Sequence, residues 1–140
     1  MKTVSIDPRV LEDIIAHARD EAPNECCGLL VGPEKWILEH SVRTTNLEHS
    51  PTTFLIDPRQ QIRADRAARA EGRSVVGFYH SHVRTPPVPS PTDVANACYP
   101  GYAYLIVSLA DGSAPEVRGY VLDEGNFARV SFVPLPDGHN

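Results

Sequence analysis

His80-Ser81-His82, seven residues, then Ser90-Pro91-Thr92-Asp93 is the stretch whose residue types and spacing could do chemistry. Side chains alternate along a strand, so the imidazoles of His80 and His82 project from one face and can share one metal ion. A helix beginning at Ser90 could present Asp93 as a third ligand. Two histidines and one carboxylate leave a fourth position for water, which distinguishes a catalytic zinc site from a closed structural one. Zinc held that way lowers the pKa of water to roughly 7 and polarises a carbonyl. Hydrolysis would further need a proton carrier and a donor to the developing oxyanion.

Taken singly, each piece has a plainer role. His-x-His pairs are common without metal. Ser90-x-x-Asp93, with Pro91 at the first helical position, also fits a capping box, and Ser90 could be cap and site residue at once. Glu25 is an acid just after a helix, and Cys26 and Cys27 fit as small buried hydrophobes. His17, His40, His49 and His139 have no partner spacing and are expected at the surface.

The elements that must position these residues follow from local pattern. Asp7-Pro8 marks a helix start, and Val10, Leu11, Ile14, Ile15 and Ala18 fall on one face before Pro23 ends the helix. Cys26–Val31 and Trp36–Val42 predict a hairpin around Gly32-Pro33, with a further short strand at Phe54–Ile56. Asp57-Pro58 starts a second helix, Ala- and Arg-rich, that runs to Glu71 and is capped by Gly72. Ser74–His82 predicts a buried central strand, because it is β-branched, aromatic and largely apolar. Three prolines make Val83–Pro89 a loop. A short helix from Ser90-Pro91 follows, then strands at Tyr102–Leu109, Glu116–Leu122 and Phe127–Val133, with a frayed tail from Pro134. The fold class is α/β (α+β), a mixed central sheet flanked by helices, with residues 1–140 forming a single domain.

Composition excludes the large alternatives. A chain of 140 residues with 41% hydrophobic and 22% charged residues is an ordinary globular domain. A net charge of −5 and a pI near 5.6 disfavour wholesale nucleic-acid binding. No apolar run approaches the roughly 20 residues of a membrane span, and the charged N-terminus has no signal-peptide pattern. Three cysteines, two of them adjacent, do not make a disulfide framework, so a cytoplasmic location is expected. Arg59, Arg63, Arg66, Arg69 and Arg73 lie within about 120° of a helical wheel, an arc shared with Ile62 and Ala70. This is a solvated face or, alternatively, a docking stripe for an acidic partner.

In combination, Glu25, Gly28-Leu29-Leu30-Val31-Gly32, Gly77-Phe78-Tyr79, His80-x-His82 and Ser90-x-x-Asp93 resemble the JAMM (MPN-plus) metalloprotease family over nearly the whole chain. The resemblance implies a cytidine-deaminase-like JAMM/MPN fold, with His80, His82 and Asp93 as Zn2+ ligands. It further implies Glu25 as general acid/base and Ser90 as a donor to the oxyanion. Val83 departs from the family, which commonly has Pro there; the difference bears on loop shape and substrate lining. Two other metal enzymes fail on sequence. A zinc nucleoside deaminase needs H-x-E and P-C-x-x-C, whereas position 82 is His and no C-x-x-C exists. A cupin-type site wants a Glu where Pro86 and Pro87 stand.

The implied activity is hydrolysis of the amide bond after the C-terminal Gly-Gly of a ubiquitin-like protein. Only about eight residues, Cys98–Leu105, separate the site helix from the next strand, and Asp111–Ala114 is a tight turn. There is no room for an insert that grips ubiquitin chains. The expected substrate is therefore a sulfur-carrier protein adduct, as in stand-alone prokaryotic members. The alternatives are a deubiquitinase-like isopeptidase and a non-catalytic MPN-type scaffold, which characteristically lacks one or more ligands.

Overall fold

A computed structural model shows the fold and describes residues 1–136. In chain order the elements are β1 (Lys2–Ile6), α1 (Pro8–Glu21), β2 (Cys27–Gly32), β3 (Ile37–Leu38), β4 (His40–Thr44) and α2 (Pro58–Arg69). They continue with β5 (Ser74–His82), α3 (Pro91–Asn96), β6 (Ala103–Ser108), β7 (Glu116–Asp123) and β8 (Asn126–Pro134). The strands form one mixed sheet in the order β3-β1-β8-β7-β6-β5-β2-β4. Pairing is parallel for β1/β3, β1/β8 and β5/β6, and antiparallel elsewhere. No helix among the described residues is long and apolar enough to cross a membrane.

Alternation in the central strands sorts the core into two layers. Leu30, Tyr79, Leu105 and Val107 face α1, where Val10, Ile14 and Ala18 complete a buried cluster. Leu29 and Phe78 face α2 and pack with Ala68. A bulge opposite Leu30/Val31 gives β5 one extra residue, so Val75 and Phe78 share the α2 face although three apart. Both long helices start as their sequences require: Asp7 and Asp57 accept the N–H groups of Arg9 and Arg59, and Pro occupies the first turn.

Several expectations are corrected. β1 was not anticipated, because its signal is only Val4 and Ile6 alternating with Thr3 and Ser5; both apolar residues are buried. The Trp36–Val42 strand breaks at Glu39, so that Ile37–Leu38 pairs with β1 and only His40–Thr44 completes the hairpin with β2. Phe54–Ile56 is not a strand; Ile56 makes one isolated bridge with Asn46. α2 stops at Arg69, and Arg73 lies beyond it in an ion pair with buried Glu39, which shortens the expected arginine face. Gly72, at φ 76°, turns the chain so that the Arg73 N–H reaches the Ala68 carbonyl at 2.9 Å. Pro134 ends β8 rather than fraying, and the N–H of buried Leu135 bonds Ile6. His139 lies outside the described residues.

His17 is likewise buried rather than at the surface. Its Nδ1 lies 2.7 Å from the Tyr79 hydroxyl, and burial pushes its pKa down to about 4. The Tyr79 ring fills the space above Gly28, where an added Cβ would overlap ring atoms. Gly28→Ala is therefore expected to destabilise the fold by about 1–3 kcal/mol, the range for overpacking a filled site. The measurement is a lower urea midpoint at unchanged slope; an unchanged midpoint would show that the ring gives way freely.

Candidate metal centre

β5 ends where the functional residues gather. His80 and His82 point to the same face as Phe78, while Tyr79 and Ser81 turn to the other. Their Nε2 atoms lie 3.3 Å apart. Asp93 Oδ2 completes a triangle, 3.2 Å from His80 Nε2 and 3.0 Å from His82 Nε2. Asp93 arrives through α3, whose capping box is formed in full: Ser90 Oγ accepts the Asp93 N–H at 3.0 Å, and Asp93 Oδ2 accepts the Ser90 N–H at 2.9 Å. Ser90 is thus both the cap and a neighbour of the cluster.

The connecting loop is fixed by its carbonyls. Thr85 O accepts from Ser108 Oγ at 2.6 Å, Pro86 O from His82 Nδ1 at 2.9 Å, and Pro87 O from Tyr120 Oη at 2.6 Å. Since a carbonyl only accepts, His82 Nδ1 carries a proton and its Nε2 faces the cluster, where it could ligate a metal ion. His80 is held from the side by Phe54, stacked at a centroid distance of 4.3 Å.

This donor set fits a tetrahedral metal ion. Ligands at roughly 2.0–2.1 Å from one ion sit about 3.3 Å from each other, close to the 3.0–3.3 Å measured here. Without a cation the three acceptors would repel, so either a proton or a metal ion must lie among them. The electrostatics agree. Burial opposes ionisation of Asp93, but bonds from His80 and His82 outweigh it and hold the carboxyl well below its usual range. Burial keeps His80 low, whereas Asp93 and the Pro86 carbonyl outweigh burial at His82 and raise it.

Glu25 lies beside this cluster, in the turn between α1 and β2, and is buried. Its Oε1 has no hydrogen-bond partner. Burial raises its pKa to about 7, against the pull of His82. Its backbone is anchored on both sides: Glu25 N–H donates to Ser50 O at 2.8 Å, and Asn46 Nδ2 donates to Glu25 O at 3.1 Å. The next residue is locked to β5, because Cys26 N–H donates to Ser81 Oγ at 2.8 Å. A cavity of about 380 Å³ is lined by Glu25, His82, Ser90 and Arg84.

All five residues singled out in the sequence therefore meet in one place. What the sequence did not single out is the support: Asn46, Phe54, Ser108 and Tyr120. Their local sequence carries no signal, since each acts across a large separation in the chain. Ser81 had one in its place between the histidines, where alternation turns it to the opposite face.

A family model described as prokaryotic homologs of the JAB domain matches residues 7–123. The chain belongs to the prokaryotic JAB family. Among its relatives, a Mycobacterium tuberculosis protein named CysO-cysteine peptidase is 39% identical over 113 residues, 80% of this chain and 77% of that one. A Haloferax volcanii protein named desampylase is 36% identical over 109 residues, 69% of this chain and 74% of that one. The solution structure of DSY2949 from Desulfitobacterium hafniense superposes with a TM-score of 0.86 at 33% identity, covering 98% of this chain and 94% of that one. A JAB1/MPN domain protein from Archaeoglobus fulgidus shares the fold, with a TM-score of 0.60 at 20% identity over 95% of this chain and all of that one. The mixed sheet flanked by helices is thus the JAB/MPN fold.

In this JAB chain the orphaned Glu25 carboxyl has a measurable cost. It holds its proton to about pH 7 when folded, against 4.5 as a free side chain. The folded state thus binds more protons between these values, and stability falls as pH rises from 4.5 to 7. Chelator-treated Glu25→Gln is expected to lack this loss, so that its advantage over the parent grows across that window and levels off above it. Urea unfolding of both proteins at several pH values measures it; parallel curves would place the carboxyl in contact with water.

Proposed function

We propose that the chain is a zinc-dependent peptidase that hydrolyses the amide bond after the C-terminal Gly-Gly of a ubiquitin-like sulfur-carrier protein adduct. The observation that carries this is the convergence of His80, His82 and Asp93 beside an unpartnered, buried Glu25, in a chain related to a CysO-cysteine peptidase and a desampylase. His80, His82 and Asp93 would hold the zinc ion, which supplies Lewis acidity towards the scissile carbonyl and acidifies water.

The remaining chemistry belongs to side chains of this protein. Glu25, poised near pH 7, takes a proton from the attacking water and returns it to the departing nitrogen. Ser90 Oγ already accepts one bond from Asp93, so its own O–H is left to donate to the developing oxyanion. Phe54 over His80 shields one side of the cluster. A Gly-Gly tail suits such a cleft, because it has no side chains to clash.

The scale of the fold supports the small substrate. Only residues 97–102 join α3 to β6, which leaves no insert to hold a ubiquitin chain and disfavours a deubiquitinase-like isopeptidase. The full ligand set disfavours a scaffold role. One sheet using strands from Lys2 to Pro134 supports a single domain over 1–140. Three free thiols support a cytoplasmic location.

Glu25→Ala is expected to retain zinc while cleavage of a carrier ending Gly-Gly-X falls by roughly 10²–10⁴; His82→Ala is expected to lose both. Metal analysis and mass spectrometry of the products read the two effects. Full zinc in the His82 variant would overturn the ligand assignment, and no cleavage of any such adduct by the zinc-loaded parent would overturn the substrate class.

A further inference from the structure

Two cavities open onto the His80–His82–Asp93 cluster, and they share no residue. The larger, about 570 Å³, touches His80 and Asp93 and is largely aromatic, with Phe54, Phe78, Tyr104 and Phe127 on its walls. The smaller, about 380 Å³, touches His82 and carries Glu25, Ser90 and Arg84. Hydrolysis of an amide sends the two halves of the substrate apart. Water's oxygen joins the carbonyl carbon, the C–N bond breaks, and one of water's protons ends on the departing nitrogen.

Which half goes where follows from the proton, if the function proposed above holds. Glu25 delivers it, and Glu25 lines only the smaller cavity. The departing amine therefore occupies the smaller cavity, and the acyl arm of the carrier the larger. In the smaller cavity, Arg84 is the cation that does not belong to the cluster. Among the described residues its guanidinium makes no hydrogen bond or ion pair, so it is available to a ligand. A guanidinium is matched in shape and charge to a carboxylate, which it binds through two parallel N–H bonds. An amino acid released from a carrier bears its α-carboxylate on the carbon next to the departing nitrogen. A lysine side chain released from a protein has none there.

We propose that Arg84 binds the α-carboxylate of the released residue, making the protein selective for carrier–amino-acid adducts over isopeptides. This rests on the hydrolase reading. The test uses the zinc-loaded full chain and three substrates: a carrier ending in Gly-Gly-Ala as the free acid, the same carrier as its C-terminal carboxamide, and a Gly-Gly isopeptide to lysine. Parent kcat/KM is expected to favour the acid over the carboxamide by about tenfold or more, as befits a charge-assisted bond. The ratio should fall to near one in Arg84→Gln and recover in part in Arg84→Lys. Equal parent rates on acid and carboxamide, or a preference that survives Arg84→Gln, overturn the assignment.

A second readout stands apart from turnover. The metal-free chain is titrated with N-acetyl-Gly-Gly-Ala and with its carboxamide, and amide NMR shifts are followed. Shifts at residues 83–85 with the acid alone, lost in Arg84→Gln, are expected; shifts elsewhere only, or equal shifts with both probes, overturn the role of Arg84. Expected NMR shifts with no cleavage of any substrate would overturn the hydrolase reading while leaving the carboxylate site in place.

Discussion

Three potential ligand atoms, of His80, His82 and Asp93, held within 3.0–3.3 Å of one another so that a proton or a cation must lie among them, are the constraint around which this fold is organised. Left alone, such a group would spread or fill with water. It is kept together by covalent and hydrogen-bonded supports on every side: the pleat of β5 aims two of the donors, and a capping box aims the third. Asp93 serves the cluster and the helix cap with the same oxygen. A six-residue helix is too short to persist by propensity, so α3 exists because it is tied at its first turn.

The proline-rich loop achieves rigidity by an unusual route. Prolines have no N–H to pair, so this segment cannot be fastened as a strand or helix would be. Its carbonyls are fastened instead, three in succession, by Ser108, His82 and Tyr120. One of those fasteners is itself a cluster residue, and the bond selects which of its nitrogens faces inward. On the other side of the sheet, Tyr79 fills the space over Gly28 and meets His17, so β5 is packed firmly on both faces.

Local signals were legible where residues act on near neighbours. Asp-Pro starts, the buried apolar run of Ser74–His82 and the Ser90-x-x-Asp93 cap each reappear in the structure because their physics is contained within a few positions. The gathering of Glu25 with His80, His82, Ser90 and Asp93 was legible only through a family resemblance. Nothing in the spacing of Glu25 says that Cys26 and Ser81, far apart in the chain, bond to each other. The misses are of the same kind. An isolated histidine such as His17 is expected to be wet, and the contact with Tyr79 across the core is what makes it an inner residue. β1 and the break at Glu39 depend on what the sheet needs at its margins, which no short window of sequence contains.

The break at Glu39 has a further consequence. It lets one short segment supply both outermost strands, β3 with two residues and β4 with five. An open sheet normally exposes two unpaired backbone ladders on which another chain can polymerise. Here one margin is only two residues long, and the other, the five-residue β4, has α2 packed against it. An extended segment of another chain that added at β3 could therefore form no more than a few ladder bonds there. Ile37 and Leu38, by pairing with β1, thus leave a ladder of only two residues at that margin of the sheet.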